Sequence, residues 1–295
     1  MVYATSRGLF FLLKLQIEKH LFFCYNNFGD NMKFKNVLLA SDFDGTLKND
    51  DGVITDDVKS AISDFMAKGG LFTVCTGRIY QGFHLYSPEY INAPVLLGNG
   101  AMAYDYKNKK VIFNDALGEE CYASVNEILK AFPDISIEFY NFDTVCAINL
   151  NEFSEQHFTS QGIEFKIIEK CEEAPLPWTK VMIAAHGHSK EVQEILEKHP
   201  EINFLRTTGD YVEILKKGVD KGTGLLKLAK ALGCEPKDTY AAGDGYNDVE
   251  MLVASAGGFV PENGSQEALG VAKYITRSNN DGCIAHAIEI LNNIY

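Results

Sequence analysis

Five short apolar runs, separated by amphipathic stretches, constrain this chain more than any other feature. They lie near Val37–Ser41, Leu71–Cys75, Pro94–Leu97, Thr239–Ala242 and Gly257–Val260. Apolar runs of this length, bounded by turn residues, read as buried strands, and the stretches between them carry helical periodicity. Strands alternating with helices predict an α/β fold, a doubly wound, Rossmann-like parallel sheet. Ligands in such sheets bind at the carboxyl ends of the strands. Those ends are where this sequence concentrates its chemistry.

The first run stops on Asp42-Phe43-Asp44-Gly45-Thr46, with two carboxylates two residues apart. Two acids crowded at one strand end need a cation between them, or one must keep its proton. A carboxylate can attack phosphorus and form an acyl-phosphate, which makes Asp42 a candidate nucleophile. Asp44 can protonate the departing oxygen and later take a proton from water. A phosphate ester and Asp42 are both anionic, so a hard cation such as Mg²⁺ suits the pair. Gly45 lets the loop reach positive φ and turn N–H groups toward phosphate, and Thr46 adds a hydroxyl donor. The plainer alternative is an Asx-rich turn closing a strand.

Three later segments repeat the pattern. Thr73–Cys75 leads into Thr76-Gly77-Arg78, where the Thr76 hydroxyl and Gly77 amide suit phosphate oxygens and Arg78 an anionic or polyol group. Gly218-Val219-Asp220-Lys221-Gly222 precedes a helical stripe of Leu225, Leu228, Ala229 and Leu232. A lysine at a helix start opposes the helix dipole, and an anion bound there would resolve the conflict. Tyr240–Ala242 runs into Gly243-Asp244-Gly245-Tyr246-Asn247-Asp248. Asp244 at the strand end and Asp248 in the next helical turn could face one cation. Taken singly, each segment also reads as a turn with a solvated charge.

Together, and in this order, the four segments resemble the sequence motifs of the haloacid-dehalogenase-like superfamily, from about Phe34 to the C-terminus. The resemblance implies Asp42 as nucleophile, Asp44 as general acid/base, and Thr76 and Lys221 as holders of phosphate. It implies Mg²⁺ on the Asp42 carboxylate, the Asp44 main-chain carbonyl and Asp244, with Asp248 acting through water or by orienting that shell. Asn247 looks like the family's phosphate- or substrate-side amide. About thirty residues separate Asp44 from Thr76, room for one helix (56–68) and one strand. The gap between Arg78 and Lys221 holds a complete domain. An insert there resembles the Cof-type sugar-phosphatase branch, as do Asn99-Gly100-Ala101 and the group Asn279, Asp281 and Gly282. Asn99 joins the substrate-side candidates on that basis, although Asn-Gly is also a common hairpin turn. Pro261, in Gly258-Phe259-Val260-Pro261-Glu262-Asn263-Gly264, departs from the branch and alters a loop near the site.

The organisation expected is an extension over 1–31, a core over 32–116 and 207–295, and an α+β cap over 117–206. The cap should carry a helix through Val125, Ile128, Leu129 and Phe132, then strands at 136–140, 145–149, 164–168 and 180–185, and a helix at 190–198. Leu9–Leu13 is apolar, but Lys14, Glu18 and Lys19 interrupt it too early for a membrane span. The extension reads as dispensable, with an amphipathic membrane-surface helix as the alternative. A net charge of −13 argues against nucleic acid or anionic membrane as partner. Seven cysteines without CxxC spacing fit a reducing, cytoplasmic setting. Cys75 reads as a buried strand residue, and His186 with His188 lacks a third zinc ligand at useful spacing. The expected activity is hydrolysis of a small phosphomonoester, a sugar phosphate by resemblance. The rivals are a phosphosugar mutase or phosphotransferase, for which the insert offers Lys166, Lys170 and Lys180, and a catalytically silent binding protein.

Overall fold

The computed structural model describes residues 32–83, 89–206 and 211–295. The expectation for the extension 1–31 lies outside the described residues. The chain enters its first sheet at β1 (Leu38–Ser41), turns through the loop at Phe43–Leu47, and forms helix α1 (Asp56–Ala67) and β2 (Leu71–Val74). A short α2 (Tyr80–Phe83) precedes β3 (Val95–Leu97), β4 (Met102–Asp105) and β5 (Lys110–Asn114).

The insert follows as α3 (Tyr122–Ala131), β6 (Ser136–Tyr140), β7 (Val145–Ile148), α4 (Glu152–Gln161), β8 (Lys166–Ile167), β9 (Lys180–Ala184), α5 (Ser189–Leu196), β10 (Ile202–Arg206) and β11 (Tyr211–Lys216). The chain then returns as α6 (Lys221–Leu232), β12 (Thr239–Ala242), α7 (Val249–Ala254), β13 (Gly258–Pro261), α8 (Gln266–Val271), β14 (Tyr274–Thr276) and α9 (Cys283–Ile294).

The core sheet is parallel, in the order β14-β13-β12-β1-β2. A parallel bridge between Cys75 and Leu96 continues it toward β3, which also opens the antiparallel β3-β4-β5 sheet. Period-2 alternation sends Leu39 of β1 to one face, with Val58, Ile62 and Phe65 of α1 and Ile284, Ile288 and Leu291 of α9. Leu38 and Ala40 face the other way, onto Leu225 and Leu228 of α6, Met251 of α7 and Ala268 of α8. Helices therefore cover both faces, as the uninterrupted apolar strands require. The strand order reverses between β1 and β12, and this switch point brings Asp42 and Asp244 to neighbouring strand ends.

The cap is a six-stranded sheet, β10-β11-β9-β6-β7-β8, antiparallel except for the β7–β8 pair. Ile137, Phe139, Val181, Ile183, Val212 and Ile214 of one face pack under α3 and α5. Its other face looks toward the core, with Phe158 of α4 on Tyr140 and Met182, and Ile79 of the core in the same cluster. Three expectations need correction. Strand β11 belongs to the cap sheet, pairing Tyr211↔Ala184 and Val212↔Ile183, so the insert's sheet runs to Lys216 rather than stopping at 206. Helix α4 was not expected, because Phe158 and Ser154 are its only buried residues and no apolar stripe marks it. Its punctuation carries the signal: Asn151 accepts from the Ser154 N–H, and Gly162 closes the helix in a left-handed conformation. The expected strand at 164–168 shrinks to Lys166–Ile167. Among the described residues, no helix is long and apolar enough to cross a membrane.

Candidate active site

Asp42 follows β1 directly, and its N–H donates to Ala242 O of β12 at 2.8 Å. The chain then turns sharply at Gly45, whose φ of +85° lies in the left-handed region. A Cβ there would stand 2.7 Å from Asp244 Oδ2, so glycine is required for space as well as torsion. Thr46 donates its hydroxyl to Asp244 Oδ1 at 2.6 Å, and so braces the acid opposite instead of pointing at an external phosphate. From the far end of the chain, Asn263 Nδ2 donates to Gly45 O at 3.2 Å. Asn279 Nδ2 donates to Lys48 O at 3.2 Å and to Asp50 Oδ1 at 2.9 Å. Pro261 ends β13, and Gly264 N donates to its carbonyl at 2.8 Å, closing the turn that carries Asn263.

Lys221 opens α6, capped by Asp220, whose side chain accepts from the Thr223 N–H at 2.7 Å. Its ammonium is fully buried and donates to Asp42 Oδ1 and Asp248 Oδ1, both at 2.6 Å. The conflict between a lysine and a helix start is thus resolved by two of the protein's own carboxylates. Burial opposes the Lys221 charge, but Asp248 and Asp42 outweigh it and hold its proton well above the ordinary lysine range.

Asp42, Asp244 and Asp248 place one oxygen each within 4.8 Å of one another. Burial raises Asp42 to about 7 against the pull of Lys221, with Asp248 and Asp44 adding to the rise. Burial, then repulsion from Asp42, raises Asp244 to about 6. Asp248 is raised by burial too, although Lys221 and the Gly245 N–H draw it down. Asp42 and Asp248 share one ammonium and Asp244 accepts from the Thr46 hydroxyl, so the three carboxylates can carry more negative charge than Lys221 offsets. An all-oxygen donor set with that excess fits a hard divalent cation such as Mg²⁺.

Asp44 stands apart from this cluster. Its side chain is 49% exposed, and Arg78 grips it through Nε at 2.7 Å and Nη2 at 3.0 Å while Lys48 Nζ sits 2.7 Å away. Burial works to raise its carboxyl, but the Arg78 and Lys48 hydrogen bonds outweigh that and hold it below the usual carboxylate range. Arg78, expected to meet substrate, therefore meets Asp44 here. Thr76 is buried, and its hydroxyl accepts from the Arg78 N–H at 3.1 Å.

Asn99 turns the β3–β4 hairpin at a φ of +53°, so its Asn-Gly pair is both a hairpin turn and part of the site. Asn99 Nδ2 donates to Glu213 Oε2 at 2.8 Å, and Asn247 Nδ2 donates to Asn99 Oδ1 at 3.0 Å. Glu213 also accepts from Lys180 Nζ at 2.9 Å, and Lys180 donates to Gly77 O at 2.9 Å. Two cap residues, Lys180 on β9 and Glu213 on β11, thereby reach the core loops. Both ride on the cavity-side face of strands whose alternate residues fill the cap core. That alternation marks Glu213 between Val212 and Ile214, but only once β11 is assigned to the cap.

These elements line a cavity of about 950 Å³, open to solvent, between core and cap. Asp42, Asp44, Thr76, Gly77, Arg78 and Asn99 line it, as do Asp244, Asn247 and Asp248. Lys221 lies beneath, behind Asp42 and Asp248.

The chain and its fold have counterparts among known proteins. Residues 39–288 match the haloacid dehalogenase-like hydrolase family, and the chain belongs to it. A provisionally named phosphatase of Streptococcus pyogenes serotype M6 is 30% identical over 261 residues, 85% of this chain and 97% of that one. A Bacillus subtilis protein named 5-amino-6-(5-phospho-D-ribitylamino)uracil phosphatase is 25% identical over 278 residues, 86% of this chain and 97% of its own. Among solved structures, a sugar phosphatase of HAD subclass IIB superposes with a TM-score of 0.78 at 20% identity, covering 87% of this chain and 99% of that one.

Proposed function

We propose that this chain is a Mg²⁺-dependent phosphatase that hydrolyses a small phosphomonoester, a sugar or polyol phosphate, through an aspartyl-phosphate on Asp42. One observation carries the reading: Asp42, Asp244 and Asp248 converge, two of them on the buried Lys221 ammonium, at the base of a cavity between core and cap. Asp42, Asp244 and Asp248 would hold Mg²⁺, which screens the repulsion between Asp42 and phosphate when bound. Lys221 favours the ionised form of Asp42 and orients it. In the first half-reaction an Asp42 oxygen bonds to phosphorus, the bond from phosphorus to the ester oxygen breaks, and that oxygen takes a proton from Asp44. In the second, Asp44 takes a proton from water as the water oxygen bonds to phosphorus and the bond to Asp42 breaks.

The Arg78 and Lys48 contacts hold Asp44 as a carboxylate, the form needed for the second half-reaction. A substrate anion that draws Arg78 away would raise Asp44 and let it carry the proton for the first. The names of the B. subtilis relative and of the sugar phosphatase support a phosphate carried on a ribityl or sugar group. A mutase would need spare cap cations for a bisphosphate. Lys180 is neutralised by Glu213, while Lys166 and Lys170 are exposed and do not line the cavity.

Asp42→Asn should lose turnover of p-nitrophenyl phosphate on the order of a thousandfold or more while far-UV circular dichroism is unchanged. A chelator should stop the wild type, and Mg²⁺ should restore it. Turnover retained by the variant refutes the nucleophile; indifference to chelator removes the cation.

A further inference from the structure

The cap wall of the cavity carries a polar cluster that takes no part in this chemistry. Glu138 lies on the cavity-side face of β6, in register with Met182 of β9, which in turn faces Glu213 of β11. It is 0% exposed, and its Oε1 has no hydrogen-bond partner among the described residues. Its Oε2 accepts from the Tyr140 hydroxyl and meets His157 Nδ1 at 3.0 Å. A buried carboxyl requires partners, and a proton on His157 Nδ1 supplies one to Oε2. Gln161 Nε2 lies 2.7 Å from His157 Nε2, in hydrogen-bond contact. His157 and Gln161, four apart on α4, share one helix face. The tip of Gln161 reaches the core, where a Cβ built on Gly82 would come within 2.3 Å of its Oε1.

His157, Gln161 and Tyr211 line the cavity, as do Met182, Phe204 and Leu205. This wall offers imidazole, amide and phenol groups together with carbon surface. Among the described residues lining the cavity, the fixed cations are Arg78 and Lys180, which are already engaged by Asp44 and Glu213. Among the described lining residues, neither cation is left over for a second phosphate.

We propose that this shelf holds the leaving group, and that it selects a neutral one with a hydrogen-bonding edge and a carbon face. The substrate is then the monophosphate of a sugar or open-chain polyol and not a bisphosphate. His157 and Gln161 determine specificity, and Glu138 is a positioning residue that acts through His157. The inference rests on the phosphatase reading.

The test measures kcat and KM for p-nitrophenyl phosphate, glucose 6-phosphate, sorbitol 6-phosphate and fructose 1,6-bisphosphate. Wild type should favour the better neutral monophosphate over the bisphosphate by at least about tenfold in kcat/KM. In Gln161→Leu and His157→Leu, the ratio of kcat/KM for that ester to kcat/KM for p-nitrophenyl phosphate should fall by about two- to tenfold per variant, mainly through KM, the size of one hydrogen bond. Gln161 is only half-buried, so its variant keeps the test open if His157→Leu folds poorly. The sugar against the polyol identifies which neutral group is preferred. Wild-type preference for the bisphosphate, or equal losses on all four esters in the variants, overturns the proposal. If wild type hydrolyses none of the four, p-nitrophenyl phosphate included, the phosphatase reading falls and the shelf with it.

Discussion

Asp244→Asn should make the metal-free protein more stable while removing its cation site. Burial and Asp42 raise the Asp244 carboxyl from its ordinary 3.8 to about 6 in the fold. A raised carboxyl is penalised in its ionised form. Its contribution to stability is complete below about 3.8 and is lost as pH rises through about 6. At 1.36 kcal/mol per pKa unit, the gap amounts to about 3 kcal/mol at pH 8; partial exposure of the side chain discounts it to about 1–3 kcal/mol. Asparagine bears no such charge and can still accept from the Thr46 hydroxyl. For a chain of this size the gain corresponds to a rise in Tm of roughly 2–8 °C. The assay is thermal unfolding in chelator at pH 8 and pH 4, followed by a Mg²⁺ titration at pH 8. The variant should melt higher at pH 8 and match wild type at pH 4. Mg²⁺ should raise the wild-type Tm with concentration and leave the variant's unchanged. A variant no more stable at pH 8, or one with the same Mg²⁺ response, refutes the reasoning.

Two other perturbations probe the same cluster. Lys221→Met strands Asp42 and Asp248 without their ammonium, and metal-free stability at pH 8 should drop by about 3–5 kcal/mol. The drop should shrink at pH 5, because both carboxyls are raised and take up protons as pH falls; denaturant melts at both pH values check it, and equal losses would count against the buried pairing. Gly45→Ala places a Cβ 2.7 Å from Asp244 Oδ2 at a φ of +85°. It should cost about 1 kcal/mol or more in backbone strain and weaken Mg²⁺ binding. Calorimetric titration with Mg²⁺ reads the effect, and wild-type affinity would show that the loop has room to spare.

The core was legible because its strands are short, continuous and punctuated at the site itself. Asp42, Asp44, Thr76, Asp244 and Asp248 all lie within a few residues of a strand end that local pattern identifies. The partners of these groups were less legible, because partnering is tertiary. Lys221 looked like a waiting anion site, and only the packing of α6 under β1 supplies Asp42 and Asp248 instead. Arg78 and Thr46 likewise found protein partners that lie 34 and 198 residues away. The cap was harder still. Its strands β10 and β11 continue directly into the returning core, with no change in composition to mark the crossing. Helix α4 hides because it shows the sheet only a single large apolar side chain, Phe158. His157 and Gln161 ride on that helix, so the shelf was invisible along with it.

The clamp on the Gly45 loop links the two ends of the polypeptide. Asn263 and Asn279 brace a turn laid down 218 and 231 residues earlier. A ribosome building this chain therefore emits Asp42 and its loop long before the struts that steady them. The nascent polypeptide has no braced Gly45 loop until Asn263 and Asn279 have been made. Translation order thereby postpones a competent site until the whole core can close around it.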